Sequence, residues 1–231
     1  MKIDLSVGPI KIENATQRTI CVLGQKGTGK TQTLKLIAYS LLSYDAGVYV
    51  FDLLNIIRID GYRKIVVNKK DYDKGQMLAT MMNSNKKMRV VIGFEGFLQG
   101  ELTTFISDVF ARWKPNNSII IIDEIHEILP ESVLGGEYSF EAERAIRHWR
   151  NAKDDSGNCG FVFSSQRPQF VSKKILSLCD GWLLYRVVGD RDRKPIENTL
   201  AGVIDDDKLR NMMAGLPQLS FLTGYWTDFY G

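Results

Sequence analysis

The densest chemistry in the chain lies in Gly24-Gln25-Lys26-Gly27-Thr28-Gly29-Lys30-Thr31, spaced G-x-x-x-x-G-K-T directly after the apolar run Ile20-Cys21-Val22-Leu23. Glycines let a turn wrap its backbone around an anion and present bare N–H groups to it. A helix starting at Lys30 adds the partial positive charge of its N-terminus, aimed at the same anion. Lys30 has the reach to meet β- and γ-phosphates, and the Thr31 hydroxyl is a hard oxygen donor suited to Mg²⁺. ATP and Mg²⁺ are therefore the candidate cofactors. Gly24, Gln25, Lys26, Gly27, Thr28, Gly29, Lys30 and Thr31 are the candidate binding residues. The context agrees, because Leu34, Ile37, Ala38 and Leu41 follow at helical spacing and form one apolar stripe. A turn that merely joined a strand to a helix would have no use for Lys-Thr at the helix start.

A second constellation is Ile119-Ile120-Ile121-Ile122-Asp123-Glu124. Four β-branched residues in a row suit a central strand buried on both faces. Asp123 at its end is placed to hold the water shell of Mg²⁺ beside Thr31, which makes Thr31 and Asp123 the candidate metal residues. Glu124 next to the γ-phosphate could orient and deprotonate a water, which favours hydrolysis over transfer to an acceptor. The bland alternative is a core strand that ends in solvated acids. The phosphate loop upstream favours the chemical reading.

A third constellation is Gly160-Phe161-Val162-Phe163-Ser164-Ser165-Gln166-Arg167-Pro168. It reads as a strand ending at a small polar pair and Gln166. A neutral amide there can sense the γ-phosphate or the attacking water by gaining and losing a hydrogen bond. Ser-Gln-Arg-Pro is also ordinary turn chemistry. Between the two strands lie Arg144, Arg147 and Arg150, spaced for one face of a helix.

These residues need a scaffold. The chain has 231 residues, 44% hydrophobic and 25% charged, enough for one substantial core of an ordinary soluble class. Strands are expected at 18–23, 47–52, 64–67, 88–93, 118–123, 160–164, 181–187 and 219–223, and helices at 30–43, 71–82, 98–113, 140–151 and 204–213. That alternation predicts an α/β fold with a mainly parallel central sheet flanked by helices on both faces, and ligands at the carboxyl ends of its strands. Residues 1–231 read as a single domain. Residues 1–17 form a short strand or hairpin extension, and 204–231 a helix, a strand and an aromatic tail.

Composition narrows the function classes. There is no apolar run of about 18 residues that would span a membrane, and the N-terminus lacks the apolar core of a signal peptide. A cytoplasmic location is expected. Cys21, Cys159 and Cys179 lack metal-ligand spacing, and Cys21 and Cys179 sit in apolar contexts. With only His126 and His148, a histidine-rich metal site is not expected. A net charge of +3 does not announce a nucleic-acid binder, although small basic clusters occur at Arg58/Arg63/Lys64, Lys173-Lys174 and Arg191/Arg193-Lys194.

Taken together, 24–31, 119–124 and the Arg147/Arg150 segment followed by Ser164-Ser165-Gln166-Arg167-Pro168 and Ile175-Leu176-Ser177-Leu178-Cys179-Asp180 resemble the HerA/FtsK superfamily of P-loop ATPases. The blocks run from about residue 18 to residue 188, most of the chain. The resemblance implies a RecA-like core and a homo-oligomeric, hexameric ring that moves double-stranded DNA. It implies Lys30 on phosphates, Thr31 and Asp123 on Mg²⁺, Glu124 as catalytic base and Gln166 as sensor. It also implies an arginine finger given to the neighbouring subunit, with Arg150 fitting best and Arg147 second. The chain shows neither the long N-terminal barrel of the HerA helicase-type members nor the membrane segment and winged helix of the FtsK type. It looks more like the genome-packaging ATPases of membrane-containing icosahedral viruses, archaeal ones included. Such a motor would work in the host cytoplasm or on the virion, docked on a capsid or membrane portal protein.

DNA contacts are expected in the loops 53–64 and 130–138 or at Lys173-Lys174. Two other readings compete with a motor. A small-molecule P-loop kinase would have to exclude water, which Glu124 and Gln166 argue against. A nucleotide-dependent assembly or secretion ATPase of the Zot-like kind usually carries a membrane span.

Overall fold

The computed structural model describes residues 5–7, 10–71, 75–131, 138–150, 158–201, 205–216 and 221–225. The chain opens with a hairpin of β1 (Leu5–Val7) and β2 (Ile10–Ile12), paired Leu5 to Ile12. Strands and helices then alternate: β3 (Thr19–Leu23), α1 (Lys30–Ser40), β4 (Gly47–Asp52), β5 (Arg63–Asn68), α2 (Gln76–Ser84), β6 (Arg89–Glu95), α3 (Gln99–Arg112), β7 (Ser118–Asp123) and α4 (Tyr138–Arg150). They are followed by β8 (Cys159–Ser165), α5 (Lys173–Leu176), β9 (Gly181–Tyr185), α6 (Asp190–Leu200), α7 (Asp206–Gly215) and β10 (Phe221–Tyr225). The main sheet runs β10-β9-β3-β8-β7-β4-β6-β5. Its strands are parallel except β10, which lies antiparallel on β9.

The four isoleucines of β7 show why this strand is central. Ile120 and Ile122 join Phe105 and Phe110 of α3 and Trp149 of α4 on one face, while Ile119 and Ile121 join Leu34 and Ile37 of α1 on the other. All four are fully buried, as the period of two demands of a strand with no solvent face.

The two faces are covered differently. Helices α2, α3 and α4 pack on the first face. On the second, α1 is joined by Ile57 and Ile59 from the loop after β4. Part of that loop, an expected DNA-contact loop, is also built into the fold. The Tyr62 hydroxyl donates to the Ala38 carbonyl at 2.7 Å, and Lys64 Nζ lies 2.6 Å from the buried Asp52 carboxylate. The same carboxylate accepts the Ile57 N–H at 2.6 Å. Leu54, Ile56 and Arg58 remain exposed. The second expected loop falls mostly on 132–137, outside the described residues. The Lys173 and Lys174 ammonium groups pair with Glu131 and Glu143.

Several element boundaries differ from the sequence pattern. α2 begins at Gln76 rather than near 71 because Gly75 sits at φ 73 and ends the helix backward. There a side chain would meet Val109 Cγ2 at 2.7 Å, so the sharp entry is also what lets α2 lie close to α3. α1 stops at Ser40 and tightens into a 3-10 turn at Leu41–Ser43, not one continuous helix to 43. The basic cluster at 191–194 lies inside α6, whose buried points among the apolar residues are Ile196 and Leu200.

Candidate nucleotide site

The candidate loop leaves the carboxyl end of β3 and is tied at once to both neighbouring strands. The Gly24 N–H donates to the Ser165 carbonyl at 3.2 Å, and the Gln25 N–H to the Arg186 carbonyl at 3.0 Å. Gly24 must be glycine, since a Cβ there would lie 2.4 Å from Tyr185 Cβ. Gly27 and Gly29 stand at φ 79 and φ 106, where a side chain is strained. The Thr28 hydroxyl closes the turn on the Gln25 carbonyl at 2.9 Å. α1 starts at Lys30, so its first free N–H groups face the loop. Lys30 is buried and folds back to the same Gln25 carbonyl, at 3.0 Å.

The two carboxylates arrive from β7. Asp123 Oδ2 accepts the Thr31 hydroxyl at 3.0 Å, and Oδ1 accepts the Ser164 hydroxyl of β8. Glu124 takes left-handed backbone torsions, φ 56 and ψ 55, which for a non-glycine residue cost about 1–3 kcal/mol unless the surroundings enforce them. Here they do. The Glu124 N–H donates to Ser164 Oγ at 3.2 Å, and its Oε2 accepts the Gln166 N–H at 3.0 Å. The turn throws the glutamate off the strand line and back over the end of β8.

Electrostatics follow from this enclosure. Burial pushes the Glu124 carboxyl above its ordinary value, helped by the nearby Asp123 charge and opposed by the Gln166 N–H and Lys30. Burial also pulls the Lys30 ammonium down, while Glu124 and Asp123 support its charge. A raised carboxyl beside a lowered amine, at the mouth of a phosphate-type loop, is the pattern of a site and not of a solvated surface.

The profile of the ATPase family associated with various cellular activities (AAA) matches residues 20–187. The chain belongs to this AAA family. The matched stretch runs from the start of β3 to just past β9 and so contains the loop, both carboxylates and Gln166. This AAA ATPase shares its fold with the genome packaging NTPase B204 of Sulfolobus turreted icosahedral virus 2. The AMPPCP complex of B204 aligns with a TM-score of 0.63 at 15% identity, covering 92% of this chain and 94% of that one. Its ATP-gammaS complex aligns with a TM-score of 0.61 at 15% identity and the same coverage. The pCW3 conjugation coupling protein TcpA aligns at 0.52 and 16% identity, covering 97% of this chain and 63% of that one. No curated protein matches in sequence.

The fold of this AAA ATPase brings Lys30, Thr31, Asp123, Glu124 and Gln166 to adjacent carboxyl ends of β3, β7 and β8, although the contact made by Gln166 is through its backbone. Arg147 lies on the exposed side of α4, and the side chain of Arg150 lies outside the described residues. Thr31 and Asp123 offer two hard oxygens within 3.0 Å of each other, which fits a Mg²⁺ that completes its shell with water and phosphate. Among the described residues no group of three or more His, Cys, Asp or Glu could hold a metal ion. No described helix is long and apolar enough to cross a membrane.

Sequence reasoning missed three site residues. Ser164 holds Asp123 and the Glu124 backbone. Ser165 and His126 face each other at 3.0 Å. The Ser-Ser pair was visible as a small polar strand end. His126 carried no local signal beyond following the two acids.

Proposed function

We propose that this AAA ATPase is a double-stranded-DNA translocase of the genome-packaging kind, working as a ring of identical copies, most simply a hexamer. The observation that carries the hydrolytic part is Glu124. It is a buried carboxyl of raised pKa, one residue from the Thr31–Asp123 pair and held by β8. The likeness to B204 along nearly the full length of both chains supports the packaging part.

The roles of the residues follow their positions. The backbone of 24–31 and Lys30 hold the triphosphate. Its arrival exchanges the Gln25 carbonyl for phosphate oxygens as the partner of Lys30. Thr31 and Asp123 would hold Mg²⁺, which supplies neutralisation of phosphate charge when bound. Glu124 orients a water and takes its proton as the oxygen attacks phosphorus. Gln166, on the segment that grips Glu124, reports loss of the γ-phosphate to β8. Arg150, with Arg147 second, completes the site of the neighbouring copy and ties turnover to assembly. Duplex DNA would be held by its backbone and not by its sequence. A capsid or membrane portal protein is the docking partner in this reading, and the host cytoplasm or the virion its location.

The test is the rate of phosphate release from ATP with and without long duplex DNA, run beside a mass measurement of the assembled particle. Stimulation by DNA in a particle of several copies is expected. ATP turnover indifferent to DNA would leave an assembly or secretion ATPase as the better reading. Phosphate transfer only to an added small-molecule acceptor would make it a kinase.

A further inference from the structure

Glu124 is followed by a single 3-10 turn, Ile125–Glu127, whose middle residue His126 is 5% exposed. Both ring nitrogens are engaged. Nδ1 lies 3.0 Å from Ser165 Oγ and 3.4 Å from Glu124 Oε2, and Nε2 lies 3.3 Å from Glu127 Oε1. The Ser165 hydroxyl oxygen already accepts the Arg167 N–H at 3.0 Å. In the tautomer that carries its proton on Nε2, the Ser165 hydroxyl donates to Nδ1 and Nε2–H donates to Glu127. The approach of Nδ1 to Glu124 Oε2 is then between two acceptors and is no hydrogen bond. Every donor in the chain from Arg167 through Ser165 and His126 to Glu127 then has an acceptor, with the imidazole neutral. Burial acts in the same direction, pulling the His126 pKa down against the pull of Glu127.

The same three-residue segment meets Glu124 directly, through the Gln166 N–H. Glu124, His126 and 165–167 thus close a small ring of contacts between the end of β7 and the end of β8. Glu124 stands on a left-handed backbone that its own torsional preference does not maintain, so its carboxylate direction depends on what grips it.

We propose that His126 is the positioning residue of the hydrolytic site, holding Ser165, and with it the segment that carries Gln166, against the turn that carries Glu124. The inference rests on the reading of Glu124 as the base that activates water. It assigns His126 no contact with nucleotide and no proton from the reaction.

The experiment measures phosphate release, KM for ATP and affinity for a non-hydrolysable ATP analogue in wild type and in six variants. His126→Leu is expected to lose about 10²-fold in kcat, the size of a misplaced catalytic group, with KM and analogue affinity within about twofold. His126→Asn can return an acceptor near the Nδ1 position and is expected to recover most of the rate. His126→Gln reaches only toward the Nε2 position and is not. Ser165→Ala removes the same link from the other side with little threat to folding, and is expected to match His126→Leu with no further loss when the two are combined. Equal rates in the Asn and Gln variants, or loss of analogue binding in step with kcat, would overturn the proposal. A full wild-type rate in Ser165→Ala would do the same. Turnover abolished by Glu124→Gln but untouched in the His126 and Ser165 variants sinks this inference alone. Turnover that survives Glu124→Gln sinks the reading beneath it, and the inference with it.

Discussion

Lys30 Nζ donates to the Gln25 carbonyl at 3.0 Å, a neutral oxygen where a charged acceptor would hold the ammonium more strongly. A phosphate would be that acceptor, and the exchange of a neutral oxygen for a charged one supplies binding energy. Lys30→Ala is expected to abolish ATP binding or turnover, read by nucleotide titration and phosphate release. Glu124→Gln keeps the shape and the contact to Gln166 but cannot take a proton. It should bind ATP normally and lose about 10²-fold or more in kcat. The pH profile carries a sign. Only the ionised carboxylate can accept the proton, and burial raises the Glu124 pKa above its ordinary 4.5. The rate should therefore be full at pH above the raised pKa and fall as the pH drops through it. The acid limb of kcat/KM, which reports the nucleotide-free enzyme, should lie at higher pH than a solvated glutamate would give. A limb at or below the ordinary value would show that Glu124 is not the group being read.

At the scale of elements, the site is a meeting of strand ends. β3 lies between β8 and β9, and the loop that leaves it is tethered to Ser165 on one side and Arg186 on the other. This explains why Gly24 tolerates nothing larger. Gly24→Ala drives a methyl against Tyr185 and is expected to cost about 1–3 kcal/mol in unfolding experiments, with weakened nucleotide binding. An unchanged midpoint would mean that β3 and β9 can separate without loss. The elements most visible beforehand were those with a strong period. The isoleucine run 119–122 became β7 with the expected bounds, and the apolar stripe after the loop became α1. α6 was not visible. Its sequence is rich in Asp, Arg and Lys and contains Pro195, and its hydrophobic anchoring reduces to Ile196 and Leu200. The packing of those two residues overrides a weak local preference. The loop 53–64 has a structural share that its sequence does not announce. Beside the charged and aromatic residues that suggest a surface for a ligand, Ile57 and Ile59 cover the sheet face next to α1.

At the scale of the whole molecule, the sheet places its carboxyl ends on one rim, with the loop, both carboxylates and Gln166 side by side. α4, which carries Arg147 and Arg150, joins β7 to β8 in sequence. If these arginines serve a neighbouring copy, Arg150→Ala should silence assembled particles, and mixing with wild-type subunits should restore part of the rate. The restored fraction, read as phosphate release against mixing ratio, separates a role in the neighbour from one in the same copy. No restoration at any ratio would exclude the former.

What the amino-acid sequence determined by itself was local. The glycine torsions of 24–29, the helix start at Lys30, and the buried strand ending in Asp123 and Glu124 each follow from a few consecutive residues and from periods of two or 3.6. Their placement on a parallel sheet followed from the alternation of such segments. The tertiary structure alone decided what surrounds the carboxylates. Ser164, Ser165 and the Gln166 N–H reach Asp123, Glu124 and His126 only because β7 and β8 are neighbours in the sheet, bridging separations of 39 to 42 residues along the chain. Local pattern cannot report such contacts, since a serine at a strand end looks the same whether it faces water or holds a buried acid.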